Sequence, residues 1–142
     1  MPIRQVSVAV KDKPGSIHEV CEILEKEQIN IKAIMGTAKS DPAQLHMVTD
    51  DPDKAISVLN GKGFTTSSKE VLAVTTPDHP GGLNAVLRTL HEIQVNVELI
   101  YPFIYLNNGE AILIMEVDKV LEAKEVLNKH WIKVVGPEIY KT

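Results

Sequence analysis

The chain carries one segment twice, and that repetition fixes its unit of folding before any other reading begins. Asp12–Ile34 reads DKPGSIHEVCEILEKEQINIKAI, and Asp78–Ile100 reads DHPGGLNAVLRTLHEIQVNVELI. At a constant spacing of 66 residues, Asp12, Pro14, Gly15, Val20, Leu24, Gln28, Asn30 and Ile34 recur as Asp78, Pro80, Gly81, Val86, Leu90, Gln94, Asn96 and Ile100. A unit of about 70 residues is too long for a solenoid repeat. Two copies therefore predict a pair of small domains, 1–69 and 70–142. A lone domain of that size buries only about 60% of its unfolded surface. Each copy is expected to pack on the other or on another chain.

The order of elements repeats as well. Val6, Val8 and Val10 alternate within Gln5–Lys11, which predicts a half-buried strand. Pro14 suits the first position of a helix, and Ile17, Val20, Cys21 and Leu24 fall on one helical stripe. Ile29, Ile31, Ala33 and Met35 alternate on a second strand. Ser40-Asp41-Pro42 is a turn, and Leu45, Met47 and Thr49 mark a third strand. Asp51-Pro52 caps a second helix with Ala55, Val58 and Leu59 inward, ended by Gly61 and Gly63.

In the second copy, Leu72 and Val74 lie on a strand, and Leu83, Val86, Leu87 and Leu90 reproduce the helical stripe. Val95, Val97, Leu99 and Tyr101 alternate, and Asn107-Asn108-Gly109 is a hairpin turn. Leu113, Met115 and Val117 match Leu45, Met47 and Thr49 at a spacing of 68, with Asp118 as a helix cap. The extra two residues fall in the hairpin, where insertions are tolerated. Ile132–Val135 forms a last strand, and the polar stretch Thr65-Thr66-Ser67-Ser68 bridges the copies. Each copy is thus βαββαβ, the ferredoxin-like plan. The fold class is α+β, with antiparallel sheets carrying helices on one face. The second strand of each copy lies at a sheet edge, where Pro102 is tolerated.

Composition narrows the function classes. The chain is 44% hydrophobic and 24% charged, as globular proteins are. A formal net charge of −4 disfavours nucleic acid, which needs a basic face. No apolar run reaches the roughly 20 residues of a bilayer span. MPIRQVSVAV has no signal-peptide core, and Cys21 has no second cysteine to pair with. These features predict a cytoplasmic protein with no membrane partner.

The five histidines have no metal-site spacing, so neither metal nor cofactor is expected. Cys21 reads as a buried, inert thiol. Tyr101, Phe103 and Tyr105 read as core or interface packing. No nucleophile stands with a base, so no catalytic residue is named and an enzyme is not expected.

The repeated element with binding chemistry is Asp-x-Pro-Gly between the first strand and first helix. Glycine admits a close approach, the helix start favours an anion, and Asp12 or Asp78 accepts from an ammonium group. Asn30 and Asn96 stand at the second strand, at a distance that spacing alone leaves open. An α-amino acid matches this set if loop and amide meet across a domain boundary. The same residues also suit a plain helix start and a locally satisfied strand end.

The whole chain resembles a tandem ACT-domain protein. Both copies carry the Asp-x-Pro-Gly-x-Ile/Leu loop (Asp12–Ile17, Asp78–Leu83) and the Ile/Val-Asn-Ile/Val strand start (Ile29–Ile31, Val95–Val97). The resemblance implies two ferredoxin-like ACT domains and a regulatory protein that binds an amino acid at ACT-domain interfaces. The ligand-binding residues it implies in the first copy are Asp12, Lys13, Gly15, Ser16, Ile17, Asn30 and Ile31. In the second they are Asp78, His79, Gly81, Gly82, Leu83, Asn96 and Val97. His79 and the Gly81-Gly82 pair replace Lys13 and Gly15-Ser16, so the two sites need not be equivalent. Exposed edge strands invite a homodimer, and a regulated partner protein supplies the output. The competing expectation is a protein-interaction module that has lost its ligand, to which the altered first hairpin, Gly36–Ala43, points.

Overall fold

A computed structural model describes residues 2–37, 42–77, 79–104 and 110–141. Among these residues seven strands and four α-helices follow in the order β1 (Ile3–Val10), α1 (Ser16–Lys26), β2 (Ile31–Thr37), β3 (Ala43–Thr49), α2 (Pro52–Gly61), β4 (Thr65–Pro77), α3 (Gly82–Glu92), β5 (Val97–Pro102), β6 (Glu110–Val117), α4 (Val120–Lys129) and β7 (Val134–Val135). A short 3₁₀ turn, Pro137–Lys141, closes the chain. The chain is α+β and divides into two compact units. One is Arg4–Lys69, and the other is Met1–Ile3 together with Glu70–Thr142.

In the Arg4–Lys69 unit the strands run β2-β3-β1, antiparallel, with β2 at the edge. Val6, Val8, Val10, Leu45 and Met47 on the sheet meet Val20 and Leu24 of α1 and Ala55 and Leu59 of α2, all almost fully buried. The Glu70–Thr142 unit repeats the plan, with β4 between β7 and β6 and with β5 at the edge beside β6. Leu72, Val74, Met115 and Val117 meet Val86 and Leu90 of α3 and Ala123 and Leu127 of α4. The alternation of valines in β1 and the i, i+4 pairs in each helix are what place these side chains on one shared layer.

Several local expectations change. The second strand is not a simple alternation in either copy. A β-bulge shifts the register between Ile31 and Ala33, and another between Val97 and Leu99. Each bulge flips the residues after it to the opposite face. Ile31 and Ile34 therefore pack on the helix-covered core cluster, while Ala33, itself fully buried, and Met35 do not join it. Tyr101 and Phe103 are buried, whereas Tyr105, the Ser40-Asp41 turn and the Asn107–Gly109 hairpin lie outside the described residues.

The helical stripes are narrower than the spacing predicts. Val20 and Leu24 are fully buried, but Ile17 is 45% exposed and Cys21 only half-buried. Leu83 is exposed and Leu87 half-buried in the same way. The polar bridge Thr65–Ser68 leaves no linker, as the short stretch between the copies predicts. It forms the first part of β4, a continuous strand of 13 residues.

Helix starts differ too. Pro14 lies before the helix, because α1 starts at Ser16 with Gly15 as its N-cap residue at φ 88°. Asp51 does cap α2, accepting from the Lys54 N–H at 3.1 Å with Pro52 in the first turn. Asp118 does not cap α4; the N-cap residue there is Lys119, with no side-chain cap. The Asp118 carboxylate instead accepts the Asn96 N–H at 2.9 Å.

Candidate functional site

The turn after β1 is built by its glycine. Gly15 and Gly81 hold φ 88° and 87°, a left-handed conformation that side chains with a Cβ rarely adopt, and neither has an atom within 4 Å of where a Cβ would stand. The loop therefore turns sharply and leaves open space in front of the helix. Neither Asp12 nor any other side chain caps α1. The plain helix-start reading of the Asp-Pro-Gly motif is thus not what this turn does. Asp12, Lys13 and Gly15 are exposed, while Ser16 is only 6% exposed. Ile17 reaches sideways: a Cβ on Gly36 would sit 3.6 Å from Ile17 Cδ1. The loop thus borders the far end of β2, at Gly36 and Thr37.

Asn30 and Ile31 lie at the other end of that strand. Helix α1 intervenes with its 11 residues, about 16 Å of axis at 1.5 Å per residue. Within one unit, Asp12 and Asn30 do not come together. Asn30 and Ile31 line a different depression of about 550 Å3, with His18, Cys21, Glu22 and Gln28. Burial pushes the Cys21 thiol up from its ordinary pKa, so at this rim it stays the neutral, poorly nucleophilic form. Gly36 and Thr37 went unremarked as loop neighbours in the sequence. The signal that places them there is the parallel run of β1 and β2 in a βαβ-type order.

The Asn backbone at the strand start has a structural role in both copies. The Asn30 N–H donates to the Asp50 carboxylate at 3.0 Å, and the Asp50 N–H donates to the Asn30 carbonyl at 3.0 Å. Asn96 and Asp118 repeat the pair at 2.9 and 3.2 Å. The carboxamide side chains themselves belong to exposed residues.

The second copy of the loop differs in detail. Asp78 lies outside the described residues. The His79 imidazole is turned onto its own chain, with Nδ1–H donating to the Pro80 carbonyl at 2.9 Å. Its carbonyl accepts from the Gly82 N–H at 3.1 Å. The Ser16 N–H is occupied likewise, by the Lys13 carbonyl at 3.3 Å. The donors left at each mouth belong to the next residues of the first helical turn, which have no partner inside a helix. Gly82 has a second constraint: a Cβ there would stand 2.4 Å from the Pro77 carbonyl oxygen. No side chain fits, which accounts for the double glycine. Leu83 is exposed, as is Asn96, and Val97 is half-buried.

A family model described as an ACT domain pair matches residues 1–139. The chain belongs to the ACT-domain family. Its two ferredoxin-like copies are the paired ACT domains of that description. The ACT chain is also similar to a protein from Bacteroides thetaiotaomicron of known crystal structure, at 28% identity and a TM-score of 0.90, covering 100% of this chain and 98% of that one. It shares its fold with the regulatory subunit of aspartate kinase from Thermus thermophilus in a ligand-free form, at 14% identity and a TM-score of 0.68, with 91% and 93% of the two chains covered. The same subunit from Thermus flavus aligns at 17% identity and a TM-score of 0.65, over 90% of each chain. Among curated proteins no sequence match was found.

Proposed function

We infer that this ACT pair is a non-enzymatic regulatory protein that binds a small molecule, an amino acid, at ACT-domain interfaces. The observation that carries the reading is the loop itself. A left-handed glycine opens the mouth of α1 while Asp12 stays exposed and takes no part in capping. An ammonium group pairs with such a carboxylate, and a carboxylate group suits the first-turn N–H groups. Asp12 and Asn30 lie at opposite ends of α1, so a ligand touching both needs the loop of one ACT domain and the β2 start of another. This requirement supports an assembly of ACT domains, with a homodimer as the simplest form. Domain boundaries at 69/70 give each copy one complete loop and one strand start.

Binding signals by favouring one packing of the domains over another, in proportion to the difference in affinity. The family relationship supports a regulatory role, and the aspartate kinase subunits of the same fold are regulatory by name. A partner protein receives the output, in the cytoplasm.

A thermal-melting screen of the twenty amino acids tests this. A ligand at 100 times its Kd adds about 2.7 kcal/mol to the folded state. At least one amino acid is expected to raise the melting temperature of the wild type and to lose that effect in Asp12→Ala. If none does, the amino-acid reading fails.

A further inference from the structure

A cavity of about 360 Å3 opens on the other side of the first loop, walled by the end of β1, the start of α1 and the turn from α2 into β4. Its lining includes Lys11, Lys13, Lys62, Ser16, Glu19 and Phe64. Among the described residues, none of these three lysines is in an ion pair. Three ammonium groups against the one Glu19 carboxylate leave the rim with a formal charge of +2. Ser16 supplies an independent sign. Only 6% of the residue is exposed, and its hydroxyl, still reached by solvent at the cavity wall, has no hydrogen-bond partner among the described residues. A hydroxyl held at the cavity wall without a protein partner is free to donate to a ligand's oxygen or to accept from water there. The first-turn N–H groups of α1 add the positive end of a helix dipole to the same place.

The second copy keeps the helix start but lacks the charged and hydroxyl side chains of this arrangement. Lys11, Lys13 and Ser16 are replaced by Pro77, His79 and Gly82, and Glu19 by Ala85. Lys62 becomes His130, whose Nδ1–H donates to the Val126 carbonyl at 2.9 Å. The Pro77 carbonyl oxygen fills the place where a Ser16-like side chain would begin.

We propose that the cavity under the first loop, between Lys11, Lys13 and Lys62, is a binding site for a small dianion. The cavity is near the lower end of the 300–1,000 Å3 range of small-molecule sites, so a compact metabolite fits it. The chemistry is two negative charges on a short frame, carried by a dicarboxylate or by a phosphate group. The site shares Lys13, Ser16 and the first turn of α1 with the amino-acid reading above, but it is complete within one copy and needs neither Asp12 nor Asn30.

Titration calorimetry on the full chain, with succinate and inorganic phosphate as separate probes at low salt, tests it. At least one probe binds saturably at one site per chain, and added salt weakens it. Succinate alone binding identifies a dicarboxylate site, phosphate alone a phosphate site, and both a general dianion site. Lys62→Gln weakens binding about fivefold, the effect of one partly exposed charge. Lys62 is an exposed residue just after α2, so the variant folds, and circular dichroism verifies that. Ser16→Ala weakens binding as well. The proposal is overturned if neither probe binds, or if Lys62→Gln binds as tightly as the wild type. Either result leaves an amino-acid response intact in the melting screen, and a missing response there leaves the dianion titration unaffected.

Discussion

Asn30 and Asp50 hold each other by two hydrogen bonds, the Asn30 N–H to the Asp50 carboxylate at 3.0 Å and the Asp50 N–H to the Asn30 carbonyl at 3.0 Å. The clip fastens the start of β2 to the end of β3, and Asn96 with Asp118 repeats it in the second copy. A duplicated fold has kept a polar fastening at the point where its edge strand begins.

Removing the carboxylate leaves the Asn N–H to water. Asp50→Ala and Asp118→Ala are each expected to cost about 1 kcal/mol, typical of a partly exposed charge-assisted hydrogen bond. Urea unfolding monitored by circular dichroism measures it. Because the two clips share no partner, the losses should add in the double variant.

Thr49 breaks the symmetry of the copies. It is fully buried on the core layer, and its hydroxyl has no hydrogen-bond partner among the described residues. The matching residue in the second copy is Val117, also fully buried. Thr49→Val removes the unpaired oxygen and keeps the shape. It is expected to stabilise the protein by about 1 kcal/mol, raising the melting temperature by a few degrees.

Trp131 holds φ 62° at the position where the first copy has Gly63 at φ 91°. Its side chain is 95% exposed, so it contributes little burial in exchange for a left-handed backbone. Trp131→Gly is expected to stabilise by about 1 kcal/mol, the cost of that conformation for a residue with a Cβ. Denaturant midpoints of the two proteins provide the comparison.

Tyr101 gives the chain an alkaline limit. Burial, and then the nearby Glu116 carboxylate, push its phenol well above the ordinary tyrosine range. The folded pKa is raised, so the stability tied to the neutral phenol is complete below the unfolded value of about 10. It is lost as pH climbs from there toward the folded value. Unfolding free energies measured across that alkaline window are expected to fall for the wild type and to fall less steeply for Tyr101→Phe.

The repeat made most of the fold legible. Val6, Val8 and Val10 alternate and Val20 with Leu24 are spaced as a helix buries them, so the layer they form follows from period alone. The bulges were not legible, because Ile29, Ile31, Ala33 and Met35 also read as plain alternation. Only the second apolar series through Ile34, repeated at Ile100, hints that the face changes. Ile17 and Leu83 satisfy the helical stripe, yet stand in the first turn, beyond the edge of the core, and remain exposed. Asp50 and Asp118 were hidden because a carboxylate before a helix reads as its cap.

The loop was legible as a motif and not as a geometry. Asp-Pro-Gly predicts a sharp turn at a helix mouth, but the 16-residue gap from Pro14 to Asn30 says nothing of direction. That α1 runs between Asp12 and Asn30 follows only from the three-dimensional order. The double glycine at Gly81-Gly82 is a visible difference whose cause, the Pro77 carbonyl, is invisible in one dimension.

The account rests on a ligand that touches the loop and the strand start together, and an amide-resolved nuclear magnetic resonance titration of the full chain reads both at once. With the amino acid that raises the melting temperature, the Gly15 and Asn30 amide signals are expected to shift along one saturable curve with a single Kd. If all twenty amino acids leave both signals in place at millimolar concentrations, the proposed binding function is contradicted.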